Sequence, residues 1–137
     1  MKNHFGCPIQ GTSNVISGKW KVLILWHLSF GTKRFAEIRD LLPGVSEKVL
    51  TAQLRELERD GVIWRKVTEC MPPRVDYSLT GAGDELITVL ETMCAWGMKN
   101  LGIPPSLPPV PKVAAAVTTA TVTTLSTQNR KFLKRAR

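Results

Sequence analysis

SEKVLTAQLRELERDGVIWRKVTECMPPRVDYSL, residues Ser46–Leu79, is the stretch on which the fold turns. Its first part has the period of an amphipathic helix. Leu50, Leu54 and Leu57 recur at i, i+4 and i+7, a single apolar stripe. At roughly 100° per residue, the opposite side carries Lys48, Thr51, Ala52, Arg55 and Arg59. Ser46 suits the N-cap, where its hydroxyl accepts from an otherwise unpaired amide. Gly61 suits the left-handed stop. A rod of about 22 Å with small residues midway along a basic face has the dimensions of a major-groove reader. A solvated surface helix has the same pattern, so the helix alone does not decide.

The second part of the stretch is more telling. Val62–Thr68 and Val75–Leu79 carry the β-branched and aromatic content of strands, and Val75, Tyr77 and Leu79 alternate with Asp76 and Ser78. Met71-Pro72-Pro73 cannot continue a ladder, so the hairpin opens there. Arg74 stands directly after that stiff tip. A basic helix leading into a hairpin with a basic tip is the layout of a winged helix-turn-helix, in which the helix enters the major groove and the wing reaches the backbone or minor groove.

Outward from this stretch, Arg34–Leu42 reads as a helix with Phe35, Ile38 and Leu41/Leu42 at its apolar spacing. Pro43-Gly44 turns the chain into the basic helix, completing a helix-turn-helix unit. Arg34, at the start of the first of these helices, is a candidate phosphate contact. Further back, Lys19–Leu28 is apolar on most sides, which predicts a helix deep in a core or shared with a second subunit. A short helix is expected over Ile9–Ile16. Beyond the wing, Thr80 caps a final helix with Asp84 and Glu85 in its first turn. Its apolar residues, from Leu86 to Met98, cover more circumference than one small core needs. A homodimer surface is expected there, together with the N-terminal segment and the Trp20–Leu28 helix.

The 137 residues suit one domain with some surplus, and a 43% hydrophobic content is enough for a core. The net charge of +8 favours an anionic partner, but its distribution matters more than its size. Residues 104–137 contain no Asp or Glu and supply most of that excess. Five of the nine prolines fall at 104–111, ahead of an Ala/Thr/Val run and a basic end. We therefore divide the chain into a folded domain, 1–101, and a Pro/Ala/Thr-rich, basic, disordered extension, 102–137. Cys7, Cys70 and Cys94 are odd in number and widely spaced, which fits neither a disulfide framework nor a zinc site. They fit a reducing, cytoplasmic setting. No leader-like or membrane-spanning run is expected, and no cofactor or metal.

The chain resembles the HxlR-type winged helix-turn-helix transcriptional regulators, relatives of the MarR group. The resemblance is carried in order by Cys7-Pro8, Gly18-Lys19-Trp20-Lys21, Arg34-Phe35, Leu42-Pro43-Gly44-Val45-Ser46, Leu50-Thr51, Gln53–Glu58, Asp60-Gly61, Pro72-Pro73-Arg74-Val75, Tyr77-Ser78-Leu79-Thr80, Gly83 and Trp96-Gly97. It implies a homodimeric bacterial DNA-binding regulator that dimerises through its terminal helices. It also implies, for some members, sensing of oxidants or electrophiles by a cysteine in the position of Cys7. Thr32, where proline is common, and Cys70-Met71 before the paired prolines depart from the pattern.

The expected function is therefore sequence-specific binding of double-stranded DNA at a near-palindromic operator, with half-sites roughly 10 bp or a multiple apart. Thr51, Gln53 and Arg55 are the candidates facing bases, Gln53 being tilted back toward the core. Ser46, Lys48, Arg59 and Arg34 are the candidates at the backbone, and Arg74 the wing contact. Cys7 is the candidate redox sensor, with Lys19 and Lys21 near it in sequence to favour a thiolate. A small buried packing cysteine is the plainer alternative. The competing function, a winged-helix protein-interaction module without DNA binding, predicts an uncharged or acidic outer face on the 46–60 helix. An enzyme would need a nucleophile–base pair or metal cluster, which His4, His27 and the scattered cysteines do not form.

Overall fold

The computed structural model describes residues 6–108. Its elements are α1 (Pro8–Val15), α2 (Lys19–Leu28), β1 (Lys33–Arg34), α3 (Phe35–Leu41), α4 (Glu47–Arg59), β2 (Ile63–Thr68), β3 (Arg74–Leu79) and α5 (Gly81–Leu101). The winged helix-turn-helix is present. Helices α3 and α4 form the unit, and β2 and β3 pair as an antiparallel wing. The sheet has three strands in the order β1-β3-β2.

The caps work as the residue types require. Ser46 Oγ accepts from the Val49 amide at 3.2 Å and starts α4. Gly61, at φ 74°, ends it. Thr80 joins the two ends of the wing region. Its Oγ1 accepts from the Gly83 amide at 3.1 Å and donates to the Gly61 carbonyl at 2.7 Å, so the cap of α5 also ties off α4.

Helix α2 lies at the centre. Ile24 and Leu25 are wholly buried, as are Ile38 of α3 and Leu50 and Leu57 of α4. Helix α2 thus takes the first of its two expected places, deep in the core of its own chain. Its apolar sides are taken up by α3, α4, α5 and β3 of its own chain. One feature not read from the sequence is β1. Arg34 keeps its expected place at the start of α3, as the N-cap. It lies in a two-residue strand paired with β3, and its amide donates to Glu37 Oε2 at 2.6 Å. A strand that short has no period to read, because only its pairing with a distant segment defines it.

The end of residues 102–108, a segment expected to begin the extension, comes back to the domain. Gly102 adopts a left-handed φ of 64° and stops α5. Leu107 then packs against the core, and Trp26 Nε1 donates to the Pro108 carbonyl at 3.1 Å. The remainder of the expected extension, 109–137, lies outside the described residues.

Candidate nucleic-acid interface

The outer ridge of α4 is made of Lys48, Ala52, Arg55 and Arg59, all exposed, as the helical period requires. Among the described residues none of these three cations has a carboxylate within salt-bridge distance. The ion pairs there are Lys21–Glu56, Arg39–Asp40, Arg39–Glu47 and Arg74–Asp76. Glu47 and Glu56 of α4 are bonded to Arg39 and Lys21, off the ridge, which itself carries Lys48, Arg55 and Arg59. The bond from Arg39 to Glu47, 2.7 Å long, links α3 to the start of α4 at the surface.

The other candidates divide by position. Thr51 is half-buried on the side of α4 that faces the sheet, and with Arg55 and Glu58 it lines a cleft against Arg65 and Tyr77. Gln53 is half-buried on the opposite side, next to Gly18 at the start of α2, and is not part of the exposed ridge. Ser46 is exposed, with its hydroxyl engaged as the cap.

Arg34 and Arg74 sit on the far face of the sheet. Arg34 is the β1 partner of Asp76, and Lys66 is its β2 partner, so the three share one face. Arg74 Nε donates to Asp76 Oδ1 at 2.8 Å, and this bond holds the guanidinium's pKa above its ordinary value. The wing arginine is thus steadied by a neighbour. Cys70 and Met71 at the wing tip are exposed.

Arg65 and Lys66, both exposed on β2, are cations that the reading of the sequence missed. The signal that could find them is the alternation of the strand. Arg65 stands opposite Tyr77 and therefore shares the sheet face that looks toward α4.

Cys7 is exposed, immediately before α1. It borders a cleft of about 650 Å³ between α1 and α5, lined also by Val15, Leu86 and Val89. The two lysines expected to favour its thiolate are occupied elsewhere. Lys21 is buried and bonded to Glu56 at 2.7 Å, and Lys19 Nζ stacks 4.5 Å from the centroid of the Trp20 ring. No group of three or more His, Cys, Asp or Glu that could hold a metal occurs among the described residues. No described helix is long and apolar enough to cross a membrane.

Residues 15–103, which hold the cationic helix and the hairpin, match the model of the HxlR-like helix-turn-helix family. The chain belongs to the HxlR-like helix-turn-helix family. It is 52% identical over 94 residues to an HTH-type transcriptional regulator, YdeP, of Bacillus subtilis, covering 69% of this chain and 73% of YdeP. Its fold is similar to that of the redox regulator HypR in its reduced form, with a TM-score of 0.67 at 43% identity, covering 69% of this chain and 94% of HypR. It is also similar to the reduced form of the transcriptional regulator YodB from B. subtilis, with a TM-score of 0.64 at 34% identity, covering 70% of this chain and 95% of YodB. This HxlR-like chain is a transcriptional regulator by family, and that family is not one of enzymes.

Proposed function

We propose that this regulator binds double-stranded DNA as a homodimer, on a near-palindromic operator, and responds to oxidants or electrophiles through Cys7. The observation that carries DNA binding is the exposed ridge Lys48, Arg55 and Arg59 on α4, with no salt-bridge partner among the described residues. Cations with no internal partner on a rod of groove width are suited to phosphates and base edges. The alternative, an interaction module without DNA binding, calls for an uncharged or acidic face there. Arg55 is the reader in this scheme, flanked by Lys48 and Arg59 on phosphates. Arg34 and Arg74 approach the backbone from the far face of the wing sheet, and the basic end of the chain adds salt-sensitive affinity.

Footprinting of the DNA upstream of the gene would define the operator. Arg55→Ala is then expected to weaken operator binding about tenfold or more, and random DNA less. Equal losses on both would make Arg55 a backbone contact.

The dimer reading rests on α5. Met93, Trp96, Met98 and Leu101 stand exposed along its second half, more apolar surface than a monomer ordinarily leaves in water. Cys7 lies at the edge of the cleft between α1 and α5, so an adduct or disulfide there would change how these two helices meet a partner. HypR, named a redox regulator, is a relative of the same fold. Operator affinity measured before and after diamide should fall or rise in the wild type and stay constant in Cys7→Ser. An equal response in both proteins removes Cys7 from the mechanism.

A further inference from the structure

We propose that the cleft between α4 and the wing sheet seats a DNA backbone phosphate, held from the strand side by Arg65. The inference rests on the DNA-binding reading and adds to it a residue and a place. The inner face of the hairpin is apolar almost throughout. Ile63 and Val67 on β2 share it with Val75, Tyr77 and Leu79 on β3. Arg65 interrupts this pattern, standing directly opposite Tyr77.

A guanidinium in an apolar row needs an anion or water at its head. Among the described residues Arg65 has no carboxylate within salt-bridge distance. It lines a cleft of about 230 Å³ with Thr51, Arg55, Glu58 and Tyr77, much larger than the ~30 Å³ share of one water. Thr51 and Tyr77 complete the lining, and Arg55 stands as a second cation on the helix side.

Two guanidiniums beside one cleft repel each other, and the single carboxylate of Glu58 cannot neutralise both. An anion bound by Arg65 lowers this repulsion and leaves the Arg55 guanidinium free for a base edge. The planar guanidinium of Arg65 offers several N–H donors, which suits the oxygens of a phosphate. A helix lying in a major groove has backbone phosphates along its flanks, and this cleft runs along one flank of α4. Arg65 thereby fixes how far the helix enters, while Arg55 is left at the rim where the groove begins.

The test uses the full chain, the footprinted operator and a random duplex of equal length, with binding read by fluorescence anisotropy from 50 to 300 mM KCl. Arg65→Gln should weaken binding to both duplexes about tenfold, leaving their ratio unchanged. The slope of log K against log salt should flatten by about 0.9 for each protomer. Glu58→Gln should act in the opposite direction and tighten both severalfold, a gain that damaged folding would not produce. An unchanged slope in Arg65→Gln, a loss confined to the operator, or weaker binding by Glu58→Gln would each overturn the proposal. If the wild type binds neither duplex, the DNA-binding reading fails and this seat with it. If the wild type binds and Arg65→Gln matches it, the seat alone fails.

Discussion

Lys21 is an ammonium taken almost wholly out of water, its side chain 6% exposed, and bonded to a Glu56 carboxylate that keeps 41% of its own exposure. The pair links the start of the central helix to the flank of α4 that carries Gln53. The bond from Lys21 lowers the pKa of Glu56 below its ordinary value of 4.5, against a smaller opposing effect of desolvation. A carboxylate whose folded pKa is depressed stabilises fully above the unfolded value, and that contribution is lost as pH falls through the folded one. Glu56→Gln should therefore cost about 1–3 kcal/mol at pH 7, less than for a fully buried pair because Glu56 is partly solvated. The difference from wild type should shrink as pH drops below about 4.5. Urea unfolding at pH 7 and pH 4 checks both statements, and a gap that does not depend on pH would show that the pair is not the cause. In the sequence Lys21 reads as a cation free to act on Cys7. Nothing in the local pattern shows that its partner lies on a helix more than thirty residues further on.

At the scale of elements, the joint between α4, the wing and α5 sets the site's geometry. Thr80 caps α5 while bonding the carbonyl of Gly61. Gly83 then lets the first turn of α5 approach the chain just before β2. A Cβ there would run into the Val62 carbonyl oxygen, and the position is buried. The requirement is one of space, so Gly83→Ala should destabilise by about 2–3 kcal/mol, as overpacking does in a close joint. Thermal unfolding measures this, and a Tm within a degree of wild type would contradict it. Helix α4 and the hairpin were legible in the sequence, since the leucine stripe, the Ser46 cap, Gly61 and the alternation of Val75, Tyr77 and Leu79 all agree on their positions. The two faces of the hairpin were not separated. Which face looks toward α4 depends on packing, and that packing puts Arg65 on the helix side and Arg74 with Asp76 on the other.

For the whole molecule, the folded monomer leaves α5 incomplete. Ile87 and Leu90 enter the core, while Trp96, 59% exposed, and its neighbours project beyond it. A helix of 21 residues outruns the core that supports it, and the proposed dimer would cover its second half. Trp96→Asp should give a monomer by sedimentation while retaining the helical circular dichroism of the wild type. Operator affinity should fall by a hundredfold or more, because one α4 per molecule contacts only half a site. A dimer that survives the substitution would move the interface elsewhere.

By itself, the sequence determined the helical and strand segments, the turn chemistry between them, and the cationic character of the α4 ridge. Each of these depends on residues within a few positions of one another, where period and backbone preference act. Only the tertiary structure decided that α2 lies at the centre of the fold, that Lys33-Arg34 joins the sheet, that Leu107 packs on the core and the Pro108 carbonyl bonds Trp26, and which cations of the described residues are ion-paired. Those outcomes depend on contacts between residues far apart along the chain. A charge available to a ligand differs from one already neutralised only through such contacts.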